Sequence, residues 1–394
     1  MSSSRLTPSS VLASLGVAGV LVLTLAVSNP RDMPPGRAAA RDSNPAENMP
    51  DRFAWQIFVD ISKPPAIGSK LALWETWINE DDVFANPNVA AMWPGVPTPL
   101  IAQVPVKRLT PIRQLEIARD EERARRVRLR ARGAPVKGIM PQFVPPQEGS
   151  GEEVRMNKAT FDFVVANNLW FIEGQEAAFA KGSAIIFPED SKEIKAIWAP
   201  ISVADEPKYH WAPNPADGNK PYGLVALHII SKDLPNWTWA TFEHVDNPQR
   251  CKVLGCNDTF GVDNAGNPSK ELVAMMKAGG LADEWQNYRL GGSQVDFTDA
   301  TGRPTLLGNS ITEDGFVATS SCITCHARSA IGPRSPGQTK ANRLSVFKTT
   351  SPLVSNNGTP DPTWYFTDPS RPTTRKYLQL DFLWSLRNAK RRNP

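Results

Sequence analysis

The chain has 394 residues, 41% of them apolar, with 44 Lys and Arg against 40 Asp and Glu, so it can bury a substantial core and wholesale disorder is excluded. Twelve Trp and 36 Pro point to aromatic-rich packing joined by many irregular loops rather than an idealised bundle or barrel. The formal net charge of +4 is small for the length, and nucleic acid is not an expected partner.

Val11 to Val27 is an almost unbroken apolar run behind a short Ser-rich stretch containing Arg5, which reads as an export signal. Ala26-Val27-Ser28 offers small residues for cleavage, and the run is also long enough for an uncleaved anchor, so residues 1–28 are a signal peptide or an N-terminal membrane anchor through 11–27. The expected location is the periplasm or cell exterior. Residues 29–50, rich in Pro, Ala, Asn and charge, read as a flexible linker.

From Phe53 the pattern becomes globular, with short helices expected in "FAWQIFVDIS" and around "LALWETW". A charged helix is predicted from a Thr110 N-cap, with Pro111 in its first turn, to just before Gly133 and Pro135. Residues 107–132 carry ten basic and four acidic side chains, so the basic character of the chain resides in this one helix. It is either a docking face for an acidic redox partner or lipid heads, or a solvated face laced with pairs such as Glu122 and Arg126. Residues 133–156 read as loop, and "KATFDFVVANNLWF" as helix.

Strands are predicted in "AIIFP", "EIKAIWAPIS", "YGLVALHIISK" and "WTWATFEHVD", with "DLPN" as a hairpin loop. If Lys232 lies opposite Trp237, then His228 faces Thr241, Glu243 shares its side of the sheet, and His244 points away. Helical character returns in "KELVAMMKAG" and in the closing "KYLQLDFLWSLRNAKRR". The expected fold is α+β: a central antiparallel sheet with flanking helices spanning 51–300, and a C-terminal helical cytochrome c-like segment, 301–394, packed on it.

The cysteines form two close pairs. In an exported chain Cys251 and Cys256 are expected to close a small loop as a disulfide. Cys322, Cys325 and His326, in "SSCITCHARSA", have the CxxCH spacing of covalent haem attachment. Two thiols on one tight helical turn can each form a thioether to a porphyrin vinyl group, and the adjacent imidazole can then serve as axial iron ligand. Zinc on all four cysteines and a redox-active dithiol are the rival chemistries; the x4 spacing of the first pair is atypical for zinc, and the βαβ context of a thioredoxin-like motif is missing.

After His326 the sequence contains neither Met nor His, so the downstream Met ligand of a small cytochrome c is absent and a sixth ligand must come from upstream. The candidates are His210, His228, His244, Met275 and Met276. His228 is the most pointed, because a histidine in an apolar strand needs a partner: it is a haem ligand or distal acid/base residue oriented by Glu243, or else a core histidine satisfied by a neighbouring carboxylate or hydroxyl. His210 and His244 sit near polar residues, where an exposed histidine needs no explanation, and paired Met residues in a helix usually fill a core.

In pattern and order, "FAWQIFVDISKP", "LALWETW", "EIKAIWAPIS", "GLVALHIISK" with "WTWATFEHVDN", "GNSITEDGF" with "SSCITCHA", and "LQLDFLWSLRNAKRR" resemble exported bacterial cytochrome c family proteins carrying a single CxxCH. The resemblance spans most of the chain beyond the linker. It implies one covalent haem c at Cys322, Cys325 and His326 and electron transfer with a redox partner protein. It draws attention to His228, Lys232, Glu243 and His244 without giving them a role. A periplasmic haem enzyme of peroxidase or oxygenase type, with an open or displaceable sixth position, is the alternative, and a haem-based sensor a more distant one.

Overall fold

In chain order, the first elements are α1 (Pro45–Asn48) and α2 (Pro50–Ser62), seen in a computed structural model that describes residues 44–94, 151–313, 317–334, 337, 340–344 and 357–392. The apolar run 11–27 and the charged segment 110–132 lie outside the described residues. Among the described residues no helix is long and apolar enough to cross a membrane. Pro50 sits in the first turn of α2, where its missing N–H costs nothing, and Pro64 and Pro65 follow its end. Ala54, Trp55, Phe58 and Ile61 recur at helical spacing and are buried. The end of the expected linker is thus helical, with Ala46 of its turn fully buried.

Next come β1 (Ile78–Asn79), α3 (Glu80–Val83) and β2 (Gly151–Met156). The last six residues of the expected loop 133–156 are therefore a strand. Its charged residues conceal it: Arg155 is buried, bonded to Glu153 and to the carbonyls of Glu75 and Trp77, so the charge is satisfied internally. Helices α4 (Lys158–Ala166) and α5 (Ile172–Lys181) precede β3 (Lys192–Pro200). The intervening "AIIFP" forms no strand; Ile186 is exposed, and the Phe187 N–H is taken by the Asp381 carboxylate instead of a neighbouring strand.

Strands β4 (Trp211–Asn214), β5 (Lys220–Ser231) and β6 (Thr238–His244), helix α6 (Lys270–Ala278) and β7 (Tyr288–Gln294) complete a seven-stranded antiparallel sheet. Its order is β1-β2-β3-β5-β6-β7, with β4 paired to the start of β5, so in sequence it reaches beyond the predicted strand segments, "AIIFP" to "WTWATFEHVD", at both ends. The protein is α+β. The β5–β6 hairpin pairs Ser231 with Thr238 and His228 with Thr241, the register its sequence predicts.

The pleat divides the sheet into two unlike faces. Ile194, Ala196, Leu227, Ile229, Ala240, Phe242 and Leu290 face one side and pack beneath Trp55 and Phe58 of α2 and Leu272 and Met276 of α6. Full burial of Trp55 and Phe58 contributes about 2–3 kcal/mol each. The opposite face carries Lys195, His228, Trp239, Thr241 and Glu243, with Met156 and Ile230. Helix α7 (Cys322–Ala327), β8 (Ala330–Ile331) and β9 (Leu378–Gln379) cover it.

After residue 300 the one α-helix among the described residues is α7. The closing segment expected to be helical is a strap of β9 and short 3-10 turns, with Asp381 and Phe382 in left-handed backbone conformations (φ 46° and 67°) that no α-helix contains. Its backbone groups serve tertiary partners: the Leu380 N–H donates to the Ser329 carbonyl, and β9 pairs with β8. Burial of Leu378, Leu380, Phe382, Leu383 and Leu386 against the second face outweighs local helix preference.

Candidate functional site

Helix α7 is short, and side chains brought from elsewhere define its start. Gln294 of β7 accepts the Ile323 N–H through its Oε1 and donates to Ser321 Oγ, satisfying an orphan donor of the first turn. Thr324 Oγ1 donates to the Gly358 carbonyl at 2.8 Å. Ile323, Thr324 and Ala327 are buried against the strap and sheet, whereas Cys322, Cys325 and His326, at i, i+3 and i+4, share a half-exposed face.

His326 is fixed on both sides. Its Nδ1 lies 2.9 Å from the carbonyl oxygen of Phe382, which can only accept, so the proton is on Nδ1. Burial pushes its pKa down to about 4, and the Phe382 hydrogen bond only partly offsets this. The ring is therefore neutral, with a lone pair on Nε2, which has no hydrogen-bond partner among the described residues. Trp239 meets the ring edge-on at 4.6 Å between centroids, and Trp384 lies at 5.7 Å. A neutral imidazole held by its Nδ1–H to a carbonyl, with a free Nε2, is the arrangement expected of a metal-ligating histidine.

Both thiols stay protonated. Burial, with Glu313 and Cys325 adding to it, pushes Cys322 far up, and burial lifts Cys325 to about 11. A redox-active dithiol needs a depressed thiol, so this environment opposes that chemistry. Cys251 and Cys256 are joined as a disulfide, which removes two of the four thiolates a zinc site would need. Among the described residues no group of three or more His, Cys, Asp and Glu is arranged to hold a metal ion.

Of the other three histidines, His228 shares the sheet face of Trp239, whose ring meets that of His326. His228 is nearly buried, its side chain 12% exposed. Its Nε2 lies 2.9 Å from Asn309 Nδ2, and Asn309 Oδ1 is committed to the N–H groups of Ile311 and Thr312, so the amide orientation is set. Asn309 therefore donates, His228 Nε2 accepts, and the His228 proton resides on Nδ1. The same Nδ2 reaches Thr241 Oγ1.

Glu313 Oε2 stands 3.6 Å from His228 Nε2 and accepts the Asn309 N–H at 2.7 Å. The contact is not an ion pair. Burial drives His228 down to about 3, with Lys195 and His326 adding to it, and burial lifts Glu313 to about 7, so both are neutral over most of the intervening range. Lys195, opposite His228 in the sheet, keeps its charge: burial opposes it, but Glu152 (3.3 Å), Glu313 and Glu80 more than offset that cost. Lys195 and Glu152 retain 31% and 21% of their side-chain exposure, so solvent reaches this part of the sheet.

Glu243 shares the His228 face, as its register implies, but it does not orient His228. It accepts from the Ser310 N–H and hydroxyl and from Asn247. Asn309 and Glu313 hold His228 instead; they lie more than 80 residues away in the "GNSITEDGF" block, and only the fold brings them there. His244 is on the other face and is fully buried rather than exposed, stacked on Tyr209 and bonded to the Lys208 carbonyl. His210 is buried too, 2.7 Å from Glu75 Oε2 and stacked on Trp285. Met276 fills the core beneath α2, and Met275 packs against that core. His210, Met275 and Met276 thus belong to the face of the sheet opposite His326.

Comparisons with protein-family models, with curated proteins and with solved structures gave no match. The case for function therefore stands on the chemistry of this site.

The donor set fits a c-type haem. Cys322 and Cys325 would hold it covalently and His326 Nε2 would face the iron, while the strap and Trp239 keep the imidazole in place. Lys195, Trp239, Asn309, Glu313 and Phe382 carry no local motif; the signal for Lys195 is a lysine within the otherwise apolar run 194–199, which needs a partner.

Proposed function

We propose that the protein is an exported monohaem c-type cytochrome that takes part in electron transfer. The observation that carries this reading is the shared face of Cys322, Cys325 and His326 on α7, with His326 Nδ1 committed to the Phe382 carbonyl and Nε2 left for coordination. When bound, the haem supplies a one-electron ferric/ferrous couple. The chain's own part is to fix the imidazole through the Phe382 carbonyl, to keep Trp239 and Trp384 beside it, and to place Lys195 and Glu313 where their charges act on Cys322.

One observation favours the enzyme reading beside it. His228, the strongest candidate for the sixth position, has its Nε2 occupied by Asn309, and the remaining upstream candidates lie on the other face of the sheet. That leaves neutral His228 and Glu313, lifted to about 7, as groups able to accept or donate a proton where solvent reaches Lys195 and Glu152, which suits an open or displaceable sixth position. Ferric and ferrous spectra with and without carbon monoxide separate the two. Ready carbon monoxide binding that survives in His228→Ala supports the open-site enzyme; no binding in the parent, with a low-spin spectrum, supports a simple carrier. A spectrum that changes from low spin in His228→Ala would restore His228 as a ligand.

A further inference from the structure

The strap that meets His326 contains two consecutive non-glycine residues in the left-handed region, Asp381 at φ 46° and Phe382 at φ 67°. L-residues avoid this conformation, and it persists only where surrounding contacts over-determine it. Here the restraint is visible. Asp381 Oδ1 takes the ammonium of Lys232 at 2.7 Å, and its Oδ2 accepts the Phe187 N–H at 2.8 Å. Lys232 Nζ also donates to the Pro235 carbonyl at 2.7 Å and lies over the Trp237 ring. Both side chains of the pair are less than a tenth exposed.

A buried ion pair is a weak device for stability, because desolvation of two charges consumes most of its attraction; its best-attested use is to select one geometry. The geometry selected here has a direct consequence. The residue after Asp381 is Phe382, whose carbonyl accepts from His326 Nδ1, and on either side the Leu380 N–H and Leu383 carbonyl bind the backbone and hydroxyl of Ser329. The β5–β6 hairpin thus reaches through Lys232 and Asp381 to the carbonyl that sets the orientation of the imidazole.

We infer that Lys232 and Asp381 are positioning residues for His326, holding the strained Asp381–Phe382 turn so that the Phe382 carbonyl orients the imidazole and strengthens it as a ligand. The link to ligand strength rests on the haem reading above; the link to imidazole geometry does not. A firm Nδ1–H···O bond raises the basicity of the coordinating nitrogen, so its loss weakens the iron–imidazole bond and moves the reduction potential upward.

The test uses the full chain with Lys232→Met, Asp381→Asn and Lys232→Arg, and Asn388→Ala as a control on the same strap that loses only an exposed bond to Glu80. The first readout is the His326 Nδ1–H resonance and its exchange with solvent, followed by nitrogen-edited NMR on the protein as purified. The parent and Asn388→Ala are expected to show a slowly exchanging resonance, Lys232→Met to lose it or exchange it at least tenfold faster, and Lys232→Arg to recover it in part. In haem-loaded protein the midpoint potential of Lys232→Met is expected to rise while covalent haem content is unchanged. Unchanged exchange and an unchanged potential in folded Lys232→Met would overturn the proposal. Should Lys232→Met not fold, Asp381→Asn, which keeps an oxygen for the Phe187 N–H, decides; failure of both to fold would also overturn it, since the pair would then hold the fold rather than the ring. Absence of covalent haem in the parent would sink the haem reading alone, because the exchange measurement needs none.

Discussion

Replacing Glu313 with Gln tests the neutral His228–Glu313 pair most sharply. Glu313 has an ordinary value of 4.5 and is lifted to about 7, chiefly by burial. Between those values the folded protein holds a proton that the unfolded chain has released, so stability falls as pH rises through the window and stays lower above it. At about 1.36 kcal/mol per unit, the shift sets a ceiling of about 3.4 kcal/mol at pH 8. Gln resembles the protonated acid in shape and neutrality and can keep an oxygen for the Asn309 N–H, so it escapes the cost of burying the anion. Urea unfolding followed by Trp fluorescence should place Glu313→Gln within about 1 kcal/mol of the parent at pH 5 and about 2–3 kcal/mol above it at pH 8. Glu80, lifted to about 8, and Glu193, lifted to about 7, push the parent the same way, while depressed His228 and His326 act oppositely as pH falls below 6.5. These groups are common to both proteins and largely cancel in the difference. An identical difference at pH 5 and pH 8 would mean that Glu313 is ionised in the folded protein, and the neutral pair would have to be abandoned.

Trp239→Ala removes a buried ring that touches both His326 and Phe382, and the cavity should lower unfolding free energy by about 3–5 kcal/mol in a denaturant titration. Trp239→Phe should cost far less, losing mainly the bond from the indole N–H to the Asn236 carbonyl, about 1 kcal/mol. Replacing Cys251 and Cys256 together by Ser opens a short loop and should cost about 2 kcal/mol, with the absorption spectrum of the haem-loaded protein unchanged; a spectral change would connect that loop to the haem face.

Local signals carried the sequence reading as far as local physics decides the structure. The His228–Thr241 register was legible because a short turn and a two-residue period leave little choice in a hairpin. The CxxCH spacing likewise placed Cys322, Cys325 and His326 on one face of a turn, as α7 has them. What escaped depends on contacts distant in sequence. His210 looked exposable until Glu75 and Trp285 closed on it, and His244 until Tyr209 did. The strap after Leu378 has helical spacing, yet two left-handed residues and the demand of Ser329 for partners override it. Glu152 to Met156 reads as a charged loop because nothing local shows that Arg155 will find two carbonyls and Glu153 in the core. Glu243 shares a face with His228, but the side chains that hold His228 arrive on the segment at 309–313, which no pairing rule places there.

The central claim is covalent haem at Cys322 and Cys325. The full chain, expressed in a host that attaches haem outside the cytoplasm, should be analysed by intact mass and by haem staining after denaturing electrophoresis, beside a Cys322→Ala, Cys325→Ala double variant. The expected result is a mass greater by one haem, a stained band that survives denaturation, and loss of both in the variant. Haem that dissociates on denaturation, free thiols at both positions in the parent, or covalent haem retained by the double variant would contradict the account.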